Sequence, residues 1–130
     1  MKPKRWFTPA GSIVLFATAI YHASVYIPVL RRMRAAGIGA PFDGMFKASW
    51  WILSTELAGL GVIALLAHQL AHGGGKLGGR IVLVCAATSA FTAVLLACFL
   101  GLFSGVYLLA LVTVLLLLGG WQQTNAKASP

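Results

Sequence analysis

The sequence is short of acid: among its 130 residues only Asp43 and Glu56 carry carboxylate side chains. Charge of either sign is scarce, at 9% of residues against about 25% in a soluble domain, which excludes an ordinary water-soluble globule. Cysteine is nearly absent as well. Cys85 and Cys98 fall thirteen residues apart in one apolar run, about 20 Å along a helix and far beyond the roughly 7 Å Cα limit of a disulfide. They read as plain buried thiols. The three histidines are too few for the several clusters that a diiron hydroxylase needs.

What is present is apolar surface: 59% of residues are hydrophobic and the mean hydropathy is +0.88. The net charge of +8 taken alone would fit nucleic acid. The cations, however, gather at the ends of apolar runs: Lys2, Lys4 and Arg5; Arg31, Arg32 and Arg34; Lys47; Lys76 and Arg80; Lys127. That is juxtamembrane placement, so the expected partners are the lipid bilayer and its anionic head groups, met by Arg31, Arg32 and Arg34, with no nucleic acid.

The pattern predicts an all-α integral membrane bundle of four helices forming a single domain, with spans at about 9–30, 46–68, 80–100 and 103–121. Thr8-Pro9 reads as N-cap and first helical residue, with Trp6 and Phe7 at head-group level. The start also imitates a secretory signal up to Ala17-Thr18-Ala19. The apolar run continues to Arg31-Arg32, which marks a retained span. Gly37, Gly39 and Pro41 make a loop, and Asp43 is placed as N-cap of the second helix. Trp50-Trp51 reads as an interfacial belt, and Gly59 and Gly61 as points of close helix approach.

Gly73 to Gly79 reads as a linker, lacking the Lys-Ser/Thr pair and preceding strand of a phosphate loop. Ile81 to Gly120 contains no charge over forty residues, about 60 Å of helix against a hydrocarbon layer of roughly 30 Å. The chain must fold back there, and Gly101 to Gly105 is the expected turn. Trp121 closes the fourth span, and 122–130 reads as a short polar tail. Six cations on the side of the termini against four on the other favour cytoplasmic termini by a small margin, in a membrane such as the bacterial inner membrane.

Chemistry is sought at Glu56, because an acid at bilayer depth costs roughly 2.5–3.5 kcal/mol and normally faces a partner inside the bundle. His22 lies eight residues before Leu30 and Glu56 ten after Phe46, about 12 and 15 Å from the same loop, so an antiparallel hairpin brings them level. A His–Glu pair sharing a proton, with Tyr26 beside it, is the candidate catalytic centre. Thr18, His22 and Tyr26 form one stripe at i, i+4, i+8; Ser49, Thr88, Thr92 and Tyr107 are the other candidates for a polar lining. The structural alternative is a clasp, since buried polar groups in membrane helices often bond across helices for about 0.6 kcal/mol each. His68 and His72, at i, i+4, have the spacing of two metal ligands on one helix face, but no carboxylate or cysteine lies near them in sequence and a helix C-terminus favours histidine anyway. No metal is therefore assigned, and no cofactor is named by the sequence.

Glu56-Leu57-Ala58-Gly59-Leu60-Gly61, with the preceding Gly39-Ala40-Pro41, resembles the DoxX-like small four-helix membrane proteins. Those place a Gly-x-Pro loop before a second span in which a Glu precedes a Gly-rich apolar run, and the likeness in layout covers about 12–100. The lysine such proteins often carry near the end of the first span is missing, and His22 and Tyr26 occupy that region. The resemblance implies the fold and, since redox-linked accessory subunits belong to that group, an accessory role. Three functions remain open. One is a binder of a lipophilic small molecule or an accessory subunit of a larger membrane complex. Another is an enzyme on a lipophilic substrate using Glu56 and His22 as acid and base. The third is a proton-coupled carrier working as a homodimer.

Overall fold

The computed structural model describes residues 6–72 and 76–125. Its helices are α1 (Phe7–Ser24), α2 (Tyr26–Ala35), α3 (Ala40–His72), α4 (Lys76–Leu100) and α5 (Ser104–Asn125), with no strand among the described residues. They make four spans long and apolar enough to cross a bilayer: Phe7–Ala35, Phe42–His72, Lys76–Leu100 and Ser104–Asn125. The chain is a multi-pass membrane protein with the all-α four-helix architecture expected. Around the bundle, α1 packs on α3 and α5, and α4 packs on α3 and α5, so the four spans close a ring.

The first span is broken at Val25. Pro28 has no N–H to give the Ser24 carbonyl and its ring crowds that carbonyl, so the helix is interrupted there and resumes as α2. Gly37 ends α2 with φ +78°: its N–H donates to Arg34 O at 3.0 Å and that of Ile38 to Met33 O at 3.1 Å. This is the paired capping that a left-handed residue after a helix permits. Gly101, also at φ +78°, ends α4 and turns the chain into α5. The reversal sits where the charge-free run required one.

Several boundaries differ from expectation. α1 starts at Phe7, so Thr8 is a helical residue and not the N-cap; its side chain is buried and points into the bundle. α3 starts at Ala40, which places Asp43 in the first turn, where its charge still suits the helix dipole but caps nothing. Lys76 to Gly79 belongs to α4 and not to a linker, and Gln122 to Asn125 extends α5 into the expected tail. Lys2, Lys4, Arg5, the glycines 73–75 and the tail beyond Asn125 lie outside the described residues.

The core is built from small and medium side chains: Leu15, Leu57, Ala64, Val82, Ala86 and Leu116 are among its fully buried members. Small residues let helices approach where lipid offers no hydrophobic drive between them. Gly78 lies directly against the backbone of Ala67 and Ala71, Gly119 against Thr8, and Gly120 against the Gly79 carbonyl and Leu83. Gly61 packs under the Phe16 ring, but Gly59 faces open space, so of this pair only Gly61 serves close approach inside the bundle.

Candidate functional site

α3 turns toward the bundle through Trp50, Ser54, Leu57, Gly61 and Ala64, a recurrence of three and four residues that marks one face of a helix. Glu56 is off that face. It is exposed on the outside of α3 and has no hydrogen-bond or ion-pair partner among the described residues. The expected His22–Glu56 pair is therefore not formed. The two residues do lie at nearly equal depth, since His22 meets Ser54, two residues from Glu56, but the Glu56 side chain is on the outer face of α3.

His22 is held on three sides. Its Nδ1 lies 2.9 Å from Ser54 Oγ, its ring stacks on Trp50 at 4.0 Å and 16°, and its backbone carbonyl accepts from Trp50 Nε1 at 2.8 Å. Ser54 donates its one hydroxyl proton to the Trp50 carbonyl at 2.9 Å. It must then accept from His22, which assigns the proton of the neutral ring to Nδ1 and leaves Nε2 with a lone pair. Nε2 has no protein partner among the described residues.

His22 stands in the wall of a cavity of about 580 Å³ at the end of the bundle opposite Phe7 and Asn125. The kinked end of α1–α2, the start of α3, the end of α4 and the start of α5 surround it. The lining is apolar, with Leu53, Leu96, Leu109 and Phe103 prominent, and its polar members besides His22 are Thr18, Tyr21, Ser49 and Ser104. Thr18 and Ser49 give their hydroxyl protons to the carbonyls of Val14 (2.7 Å) and Met45 (2.8 Å), so toward the cavity both offer acceptors only.

Of the residues expected in the polar centre, Thr18, His22 and Ser49 line the cavity. Tyr26 stands behind it: its ring stacks with Phe46 at 6.0 Å and tilts against Trp50 and Trp51, each at 6.1 Å. Thr88 donates to the Val84 carbonyl within its own helix, and neither it nor Thr92 reaches the cavity. Tyr107, expected inside, is 61% exposed on the outer face of α5. The belt pair is split, with Trp50 turned inward onto His22 and only Trp51 facing out. Ser54 and Trp50 were missed, although their i, i+4 spacing with Leu57 and Gly61 was readable in the sequence.

No family model, curated protein or solved structure matches the chain. The site is read from its own chemistry.

At the other end of the bundle His68 and His72 do come together, their Nε2 atoms 3.0 Å apart. Gln123 Nε2 lies 2.8 Å from both His68 Nδ1 and Thr8 Oγ1. An amide N–H donating to His68 Nδ1 leaves the ring proton on its Nε2, to be given to His72. The relay uses the His68 lone pair a metal would need, and among the described residues no third His, Cys, Asp or Glu joins the pair. At the loop, Arg31 and Arg32 are exposed, while Arg34 bonds Asp43 Oδ2 through Nε (2.9 Å) and Nη2 (2.6 Å).

Proposed function

We propose that this protein binds a lipophilic small molecule carrying a hydroxyl group, such as a quinol, in the cavity between α1, α3, α4 and α5. The observation that carries the reading is His22 itself, an imidazole fixed by Ser54 and Trp50 with an unused lone pair beside an apolar space of about 580 Å³. Ligand sites of small molecules run to roughly 300–1,000 Å³ and combine apolar walls with a few polar groups that set orientation. A ligand O–H would donate to Nε2, its apolar body lying against Leu53, Leu96 and Leu109. The DoxX-like layout supports an accessory role beside a larger membrane complex, for which a bound quinol is a fitting cargo. The enzyme reading rested on Glu56 acting with His22 and loses support with Glu56 outside; the carrier reading rested on Glu56 as the exchanging carboxylate of a homodimer, and Glu56 does not line the cavity.

The test is titration of the protein in lipid nanodiscs with a soluble-tailed quinol, read by the fluorescence of Trp50, with Trp50→Phe identifying the responding tryptophan. His22→Ala is expected to weaken binding about tenfold, the equivalent of one hydrogen bond from a buried hydroxyl at about 1.4 kcal/mol. Leu96→Trp, which pushes a larger ring into the cavity from its wall, should weaken it as well. Equal affinity in wild type and both variants would refute the site.

A further inference from the structure

The cavity leaves unused the one acid inside the membrane. Glu56 lies at the middle of the Phe42–His72 span, exposed on the outer face of α3. Lipid offers a carboxyl group no hydrogen-bond partner, and such groups in a span normally face protein. This chain supplies no counter-ion at that depth: its nearest cation along α3 is Lys47, nine residues or about 13 Å away toward the loop. The occupant of this face must bring a polar group to the same level.

A second copy does so by symmetry. A two-fold axis along the membrane normal keeps every residue at its own depth, so Glu56 beside the axis meets Glu56. Two protonated carboxyls facing each other form two reciprocal O–H···O bonds, each donor and each acceptor satisfied and no charge left in lipid. The same face is shaped for it. Ile52, Glu56, Gly59, Ile63, Leu66 and Leu70 recur at alternating four- and three-residue steps, the seam of two helices wound around each other, and of these Gly59 is half-buried and the rest exposed. Gly59 carries nothing within 4 Å of where a Cβ would stand, and one turn from Glu56 it lets the two backbones close in. We propose that α3 pairs with α3 of a second copy through Glu56, giving a parallel homodimer. The pairing does not depend on the cavity being filled.

The experiment uses the full chain at high dilution in vesicles of phosphatidylcholine and phosphatidylglycerol. The exposed Cys98 is replaced by Ser, and single cysteines are placed at Ile52, Ile63 or, as a control on another outer face, Leu111. Oxidation should join copies through Ile52→Cys and Ile63→Cys and leave Leu111→Cys uncoupled. Energy transfer between labelled copies should fall about tenfold in affinity for Glu56→Leu and stay near wild type for Glu56→Gln, whose amides pair as carboxyls do. Thermal unfolding in detergent should be unchanged by Glu56→Leu, because the side chain is exposed and makes no hydrogen bond or ion pair among the described residues. A monomeric wild type overturns the proposal. So does cross-linking no greater at Ile52 and Ile63 than at Leu111, or a Glu56→Gln variant that dissociates as readily as Glu56→Leu.

Discussion

The two ends of the bundle are built on opposite plans. Where the described chain starts and finishes, helix backbones touch: Gly78 rests on Ala67 and Ala71, Gly119 on Thr8, Gly120 on Gly79, and a relay from Thr8 through Gln123 and His68 to His72 ties α1, α3 and α5. At the loop end the cavity is lined by Leu53, Leu96, Leu100, Phe103 and Leu109, and the first span is broken ahead of Pro28. Large side chains stand there in place of the glycines of the other end, and the cavity lies among them. In a membrane, where apolar burial does not drive helices together, residue size along the facing stripes decides where a bundle shuts and where it stays open. Close backbone packing accordingly concentrates at one end and the cavity lies at the other.

The largest effect should come from spoiling the closed end. A Cβ at Gly78 collides with the Ala67 carbonyl, and backbone cannot yield as a side-chain tip can. Gly78→Leu is expected to lose about 3 kcal/mol, the upper part of the range for overpacking, measured by denaturation in mixed micelles. Gly59→Leu is the control. Its position is open, so the stability of the monomer should not fall, and a loss equal to that of Gly78→Leu would mean that glycine itself, and not its neighbour, sets the cost.

The four-span fold was legible in the sequence. Forty residues without charge forced a reversal, and Gly101 provided it; the cations at the run ends fixed the spans. Depth along a helix follows from counting at about 1.5 Å per residue, which puts His22 nearly level with Glu56 and within two residues of Ser54, its actual partner. Rotation about the axis does not follow from counting when nearly every residue is apolar, because polarity then no longer separates inside from outside. The better signal was size: Ser54, Gly61, Ala64 and Ala67 trace the buried stripe of α3, and Glu56 stands off it. The glycines after His72 read as a linker because glycine breaks helices in water, whereas Gly78 and Gly79 are helical here because contact with Ala67, Ala71 and Thr124 outweighs that propensity.

An intermediate effect belongs to the hairpin turn of the open end. Gly101 has room for a side chain, with nothing near its Cβ position, but its φ of +78° disfavours one. Gly101→Ala should cost about 1 kcal/mol, the penalty of a left-handed backbone for an L residue, and Gly101→Asn less, since Asn tolerates that conformation. Micelle denaturation of the two variants side by side measures it. Equal losses would point to packing and undo the distinction between a closed end limited by space and an open end limited by backbone handedness.

The smallest effect lies outside the cavity, at the loop joining α2 to α3. Arg34 reaches Asp43 with two donors, yet its own side chain is 62% exposed, so water and salt screen the attraction. Asp43→Asn keeps an acceptor for the guanidinium and removes the charge that favours the start of α3. Its destabilisation should be below that of Gly101→Ala at low ionic strength and should vanish as salt is raised, both read from the same denaturation experiment. Cavity binding should not change, because neither residue lines the space. A loss that persists in concentrated salt would show that the pair holds the loop by geometry and not by charge, and the open end would then have a stabilising clasp of its own, comparable with the Gln123 relay at the other.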